Sequence, residues 1–186
     1  MKILITGGAG FIGSHLTEFH LNRGDEVFVV DNLSTGSREN LAHLHHDTKL
    51  FFEEADILTW PHLTQHIAWA DRIYHLAAVV GMYHLLTHPL TTLQTNILSC
   101  ERLLREIAAH NPAARLIVMS SSEIYGPSEK ERLSEADLLF FKSSVSSKWV
   151  YATTKLTDEL FTMAYAKSYH IKATAIRLFN TIGPRQ

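Results

Sequence analysis

The segment Thr6-Gly7-Gly8-Ala9-Gly10-Phe11-Ile12-Gly13 limits what this chain can fold into more than any other. It follows a short β-branched run, residues 3–6, and opens an amphipathic, helix-length stretch, residues 11–22. Glycines there permit a tight turn and let backbone N–H groups come close to a bound pyrophosphate. The start of the following helix adds unpaired donors and a partial positive charge. Gly13 lets the helix pack close to the strand it has left. The spacing alone is weak evidence, because an ordinary strand-to-helix turn can carry it. Its position after the first strand, with an acid ending the second, makes it a dinucleotide cradle.

That acid is Asp31, eighteen residues after Gly13. A carboxylate there accepts hydrogen bonds from both ribose hydroxyls of an adenosine and repels a 2′-phosphate, so NAD is expected rather than NADP. Arg38 is the opposing feature, since a guanidinium nearby can bind that phosphate; as a solvated loop charge it does not. The resemblance becomes specific at this point. Gly7-x-x-Gly10-x-x-Gly13 followed by Asp31-Asn32-Leu33-Ser34-Thr35-Gly36 resembles the extended short-chain dehydrogenase/reductase family, which includes sugar-nucleotide epimerases, dehydratases and decarboxylases. The resemblance implies that Asp56 and Ile57 contact adenine. It also implies that the His75-Leu76-Ala77-Ala78 segment lines the cofactor, through Leu76, Ala77 and Ala78.

The rest of the chain agrees with an α/β fold, a Rossmann-type doubly wound parallel sheet. Residues 3–6, 27–30, 50–53, 73–76, 116–119 and 173–178 are expected as buried strands. Helices are expected over 11–22, part of 38–46, 60–67, 89–110 and 149–169, with Pro61 and Pro89 in first helical turns. Strand–helix alternation calls for right-handed crossovers with helices on both faces. Residues 127–148, charged and then serine-rich, read as a long surface loop. All 186 residues form one NAD-binding domain, with no repeat and no linker. The resemblance covers essentially the whole chain and then stops, so the family's C-terminal substrate domain is expected to be absent.

Composition excludes several classes of function. The net charge is −2 with no basic block, which argues against nucleic acid as a partner. Cys100 is the only cysteine, so no intramolecular disulfide can form, in keeping with a reducing cytoplasm. No apolar run is long enough to span a membrane. His62 and His66, and His84 and His88, are each four apart, but neither pair has the glutamate of a zinc-protease helix or an evident third ligand, so no metal is expected. His84 follows the cofactor-lining segment and is a weak candidate for touching substrate.

Tyr151-Ala152-Thr153-Thr154-Lys155 sets a phenol and an ammonium on one face of the helix expected over 149–169. Oxidation of a sugar hydroxyl needs a base, and a tyrosine with a pKa of about 10 is a poor one at neutral pH. Lys155 and a positive nicotinamide ring would favour the phenolate; Lys155 can also hold the nicotinamide ribose. Tyr-x-x-x-Lys is common on solvated helices, and its weight comes from the fingerprint upstream and from Met119-Ser120-Ser121-Ser122-Glu123 at the carboxyl end of a strand. Aligned on Tyr125-Gly126, Ser121 matches the family's catalytic serine or threonine. Ser122 and Glu123 match the pair that varies with chemistry, and Ser-Glu is similar to UDP-glucuronate decarboxylases and some epimerases. Asn180 matches a residue that meets the nucleotide sugar. Thr154 stands where the family usually has serine, which keeps the hydroxyl.

The resemblance therefore implies an enzyme with Tyr151, Lys155, Ser121 and Glu123 as catalytic residues. It would oxidise C4 of a UDP-uronate or UDP-hexose to a 4-keto sugar, epimerise or decarboxylate it, and regenerate NAD. It also implies a homodimer through a four-helix bundle built from 89–110 and 149–169, with Leu93, Ile97, Leu104, Leu156, Leu160 and Met163 as apolar stripes. The alternative is a module that binds NAD without catalysis of its own.

Overall fold

The computed structural model describes residues 1–141 and 149–186, with the side chains of Met82, Tyr83 and His84 excepted. Six parallel strands form one sheet: β1 (Lys2–Thr6), β2 (Glu26–Asp31), β3 (Leu50–Glu54), β4 (Arg72–His75), β5 (Arg115–Ser121) and β6 (Lys172–Leu178). Their order is β3-β2-β1-β4-β5-β6, with the reversal between β1 and β4 that defines a doubly wound sheet. Alternate residues of each strand point to opposite faces. Leu4, Val30, Ile73, Leu116 and Val118 therefore share one buried layer, and Ile3, Ile5, Val27 and Val29 share the other. Burial on both faces explains why the inner strands read as apolar runs, but β3 and β6, expected to be buried as well, are intermediate or exposed throughout because they form the two edges of the sheet.

The helices are α1 (Phe11–Asn22), α2 (Leu63–Trp69), α3 (Met82–Thr87), α4 (Pro89–His110) and α5 (Val150–Tyr169). Short 3-10 helices cover Arg38–Leu44 and Ser122–Tyr125. The bounds of α1 and α4 are those the sequence predicts. Helix α2 begins later than the expected residue 60, because Trp60 is drawn into the core at 1 % exposure and its N–H donates to the Asp56 carbonyl at 2.8 Å. Helix α3 was not anticipated: six residues are too few for an apolar period to show. Residues 127–141 hold no helix or strand, as the loop expectation required, and residues 142–148 of that loop lie outside the described residues.

Leu90, Leu93, Ile97, Leu104 and Ile107 recur at helical spacing and predict one apolar face for α4, from which the structure departs. Leu104 and Ile107 are buried as predicted, but Leu90 is exposed, and Thr92, Asn96 and Ser99 occupy the buried side of its first half. Leu104 thus turns into the core and is unavailable to a dimer stripe. The polar side chains are tolerated because each has a hydrogen-bonding partner. Those of Asn96 and Ser99 belong to the site.

Candidate active site

A cavity of about 1090 Å³ opens along the carboxyl ends of the strands, at the reversal between β1 and β4. The glycine-rich turn forms its floor. Gly7 adopts φ +72°, and a Cβ there would fall 2.7 Å from the Ala77 nitrogen. A Cβ on Gly13 would lie 2.3 Å from the Gly7 carbonyl oxygen and 2.6 Å from the Gly8 Cα. The turn can be this tight only without side chains at those positions. Gly10 is the N-cap of α1; no side chain caps this helix and no acid lies in its first turn. Its free N–H groups and positive end therefore face the cavity, which Gly7, Gly10, Phe11, Ile12 and Gly13 line.

Asp31 stands at the end of β2, 8 % exposed, with Oδ2 accepting from the Ala9 N–H at 2.9 Å and Oδ1 from the Leu33 N–H at 2.8 Å. A carboxylate has about four acceptor positions, so two donors fix its orientation and leave capacity for a ligand's hydroxyls. Asn32, Ser34, Thr35 and Gly36 continue the lining. Arg38 does not: its guanidinium pairs with Glu54 at 2.9 Å and lies over the Phe52 ring. Asp56 and Ile57 also line the cavity, and Asp56 at the same time accepts from the Leu58 N–H at 2.8 Å, as a strand-end turn residue would.

Leu76, Ala77 and Ala78 line the opposite wall. Buried His75 orders this segment. Its Nδ1 meets Thr6 Oγ1 at 2.8 Å, and the same hydroxyl accepts the Ala77 N–H at 3.2 Å. Nε2 lies 3.4 Å from Ser99 Oγ on α4. Burial, with help from the Lys155 charge, pushes the His75 pKa down to about 3, so the ring is neutral at physiological pH. Asn96 secures the next residues: Oδ1 accepts the Val79 N–H at 2.7 Å and Nδ2 donates to the Val79 carbonyl and to Thr154 Oγ1.

Ser121, Glu123, Tyr151 and Lys155 converge on the same cavity, Ser121 from the end of β5, Glu123 from the 3-10 helix that follows it, and the others from the first turns of α5. Tyr151 and Lys155 are four residues apart and so share a helix face. Burial pushes the Tyr151 phenol above its ordinary pKa; Lys155 pulls it down, Asp158 pushes it up, a hydrogen bond from Ser121 lowers it, and Glu123 raises it. Lys155 acts on the phenol in the expected direction, against the larger effect of burial. Lys155 Nζ lies 3.2 Å from Asp158 Oδ2, with both groups almost fully buried, and that carboxylate opposes the cation's effect on the phenol.

Of the other expected residues, Asn180 lines the cavity, whereas Ser122 sits on the 3-10 turn after β5, outside the lining. Thr95, Asn40 and Arg185, not anticipated from the sequence, also line it. Thr95 is adjacent to Asn96, and a buried polar residue on an otherwise apolar helix face was the available clue. Among the described residues no group of three His, Cys, Asp or Glu side chains could hold a metal ion, and the side chain of His84 is not among them. No helix among them is long and apolar enough to cross a membrane.

Comparison with known proteins follows the same geometry. Residues 4–186 match the family model described as GDP-mannose 4,6 dehydratase. The chain is 34 % identical to UDP-glucuronic acid decarboxylase 1 of Arabidopsis thaliana over 185 residues, all of this chain and 41 % of that protein. It superposes on UDP-glucuronic acid 4-epimerase from Bacillus cereus, solved in complex with NAD, with a TM-score of 0.87 at 31 % identity, covering 100 % of this chain and 58 % of that one. A dTDP-glucose 4,6-dehydratase from Streptomyces venezuelae, solved with NAD bound, gives a TM-score of 0.90 at 30 % identity with the same coverage. The chain spans about half the length of these relatives. A match over nearly every residue, with the glycine-rich turn and the Tyr151–Lys155 pair on one cavity, places the chain in the GDP-mannose 4,6-dehydratase family of extended short-chain dehydrogenases/reductases.

Proposed function

We propose that this chain binds NAD and carries the catalytic groups of an enzyme acting on a nucleotide sugar. The observation that supports it most is the convergence of Ser121, Tyr151 and Lys155 on the cavity floored by the glycine-rich turn. The residues fit a dinucleotide: Gly7 and Gly13 leave room that a Cβ would fill, α1 presents an uncapped start, and Asp31 offers an oriented carboxylate where a 2′-phosphate would be repelled. Gly10, Phe11, Ile12 and Gly13 would hold the pyrophosphate. Asp31, Asn32, Ser34, Thr35 and Gly36 would hold the adenosine ribose, Asp56 and Ile57 the adenine, and Leu76, Ala77, Ala78 and Lys155 the nicotinamide half. When bound, NAD takes a hydride from a sugar carbon, returns it later, and adds a positive ring charge to the site.

Tyr151 then takes the proton of the sugar C4 hydroxyl, while Ser121 orients that oxygen and Lys155 stabilises the phenolate. The oxidised sugar is epimerised, or loses carbon dioxide if C6 is a carboxylate, and Asn180 contacts the substrate from the cavity wall, which Ser122 does not line. Glu123 favours a uronate, because a neutral-sugar epimerase has no need of an acid there. A uronate's own charge would require Glu123 to be protonated or offset by a cation. The test supplies UDP-glucuronate and UDP-glucose separately and follows carbon dioxide and product sugars by NMR. Conversion of UDP-glucuronate is expected; interconversion of UDP-glucose and UDP-galactose with UDP-glucuronate untouched overturns the choice. The alternative is a module that holds NAD without turnover. Tight NAD binding with neither sugar converted would favour it.

The same proposal includes a homodimer. Helices α4 and α5 pack side by side, and Leu98, Leu160 and Met163 on them are 51 %, 59 % and 67 % exposed. An apolar strip of this kind on paired helices suits a second copy. Sedimentation at micromolar concentration is expected to show twice the chain mass; a clean monomer counts against it.

A further inference from the structure

One wall of the cavity has, apart from Asn180, no role so far. After β6, residues 179–186 turn back across the carboxyl edge of the sheet, and Phe179, Asn180, Thr181, Ile182 and Arg185 line the cavity. The far end of this strap is fastened to α1 and to the 3-10 helix Arg38–Leu44. Arg185 Nη2 donates to Glu18 Oε2 and to His15 Nδ1, each at 2.6 Å. His15 Nε2 lies 3.1 Å from the Pro184 carbonyl oxygen. A guanidinium only donates, so His15 accepts at Nδ1 and donates from Nε2, gripping the strap at two points. Asn40 Nδ2 donates both to the Ala9 carbonyl at 2.9 Å and to the Arg185 carbonyl at 3.2 Å, tying the strap to the glycine-rich turn itself. Gly183 packs so closely on Phe11 that a Cβ would meet its ring at 3.0 Å.

We propose that residues 179–186 are a latch over the cofactor site, held shut by Arg185, Glu18, His15 and Asn40, so that a bound dinucleotide leaves only when the latch lifts. This rests on the NAD proposal above. A reaction that returns its hydride has no need to exchange the cofactor at each turnover, so a slow exit is chemically reasonable. Glu18 is the informative member, because it does not line the cavity and can influence the ligand only through the groups it holds, Arg185 at 2.6 Å and His43 on the 3-10 helix at 3.3 Å. The Arg185 guanidinium beside it holds the Glu18 carboxyl below the usual carboxylate range.

The test loads the full chain with NADH, chases it with excess NAD, and follows the loss of nicotinamide fluorescence. Arg185→Ala is expected to release NADH about tenfold faster, and Glu18→Gln several-fold faster, with little change in the association rate. Melting curves check that both remain folded, and nearly isosteric Glu18→Gln serves if Arg185→Ala does not. Release at the parent rate from Glu18→Gln, whatever Arg185→Ala does, overturns the latch, because Arg185 then acts only by direct contact or not at all. A parent chain that binds no NADH fails differently: it removes the cofactor proposal and the latch together.

Discussion

Replacing Tyr151 with phenylalanine is expected to lower turnover of the nucleotide sugar by roughly a thousandfold while leaving NAD affinity within a few-fold of the parent. The substitution removes one oxygen and keeps the ring, so the first turn of α5 and its packing are undisturbed. What is lost is the group that receives the hydroxyl proton. Burial holds this phenol above its ordinary pKa, with Asp158 and Glu123 adding to the shift and Lys155 opposing it. The protonated form therefore dominates at neutral pH until the positive charge of a bound cofactor joins Lys155. The sign of the pH dependence follows: kcat/KM rises with pH as the base ionises. The measurement is turnover by NMR alongside NAD titration in a form that converts its substrate. Parent-like turnover in Tyr151→Phe would remove Tyr151 from the mechanism; loss of both turnover and NAD binding would show that the change had damaged the site as a whole.

A second large effect is expected from Gly13→Ala, one methyl group placed far from the reacting sugar. The added carbon would stand 2.3 Å from the Gly7 carbonyl oxygen and 2.6 Å from the Gly8 Cα. Both are backbone atoms of the turn, so no side chain can swing aside, and α1 must move off the sheet or the turn must open. Overpacking of this severity costs on the order of 2–3 kcal/mol, a large share of a domain's margin. Opening the turn also spreads the N–H groups that would cradle pyrophosphate, and NAD affinity is expected to fall at least about a hundredfold, some 2.7 kcal/mol. Titration of the parent should show NAD bound more tightly than NADP, because Arg38 is engaged with Glu54 and Asp31 faces the cavity. Unchanged affinity in Gly13→Ala would dismiss the cradle, and tighter NADP binding in the parent would dismiss the role of Asp31.

Much of this was readable from the chain alone. β-Branched runs separated by helix-length amphipathic stretches specified six strands and the doubly wound sheet; the four inner strands are buried as expected, whereas β3 and β6, at the edges, are not, because each has a neighbouring strand on one side only. The bounds of α1 and α4 were legible from glycine and proline at their starts, where backbone geometry is local. Gly7, Gly13 and Asp31 could be found because their functions depend on backbone conformation and on position along one strand–turn–helix unit. Tertiary structure decided what depends on several elements at once. Asp158 lies three residues from Lys155 in sequence, but nothing local shows that both are buried and that the carboxylate cancels part of the cation's effect on Tyr151. Thr92, Asn96 and Ser99 spoil the apolar face of α4 in sequence, and only the adjacency of His75, Val79 and Thr154 supplies the hydrogen bonds for two of them. Arg185 and Glu18, separated by 167 residues, meet only because β6 returns the chain to the edge from which α1 begins. Local geometry is written in neighbouring residues, whereas burial, and with it the strength of every charge, is set by which distant segments exclude the water.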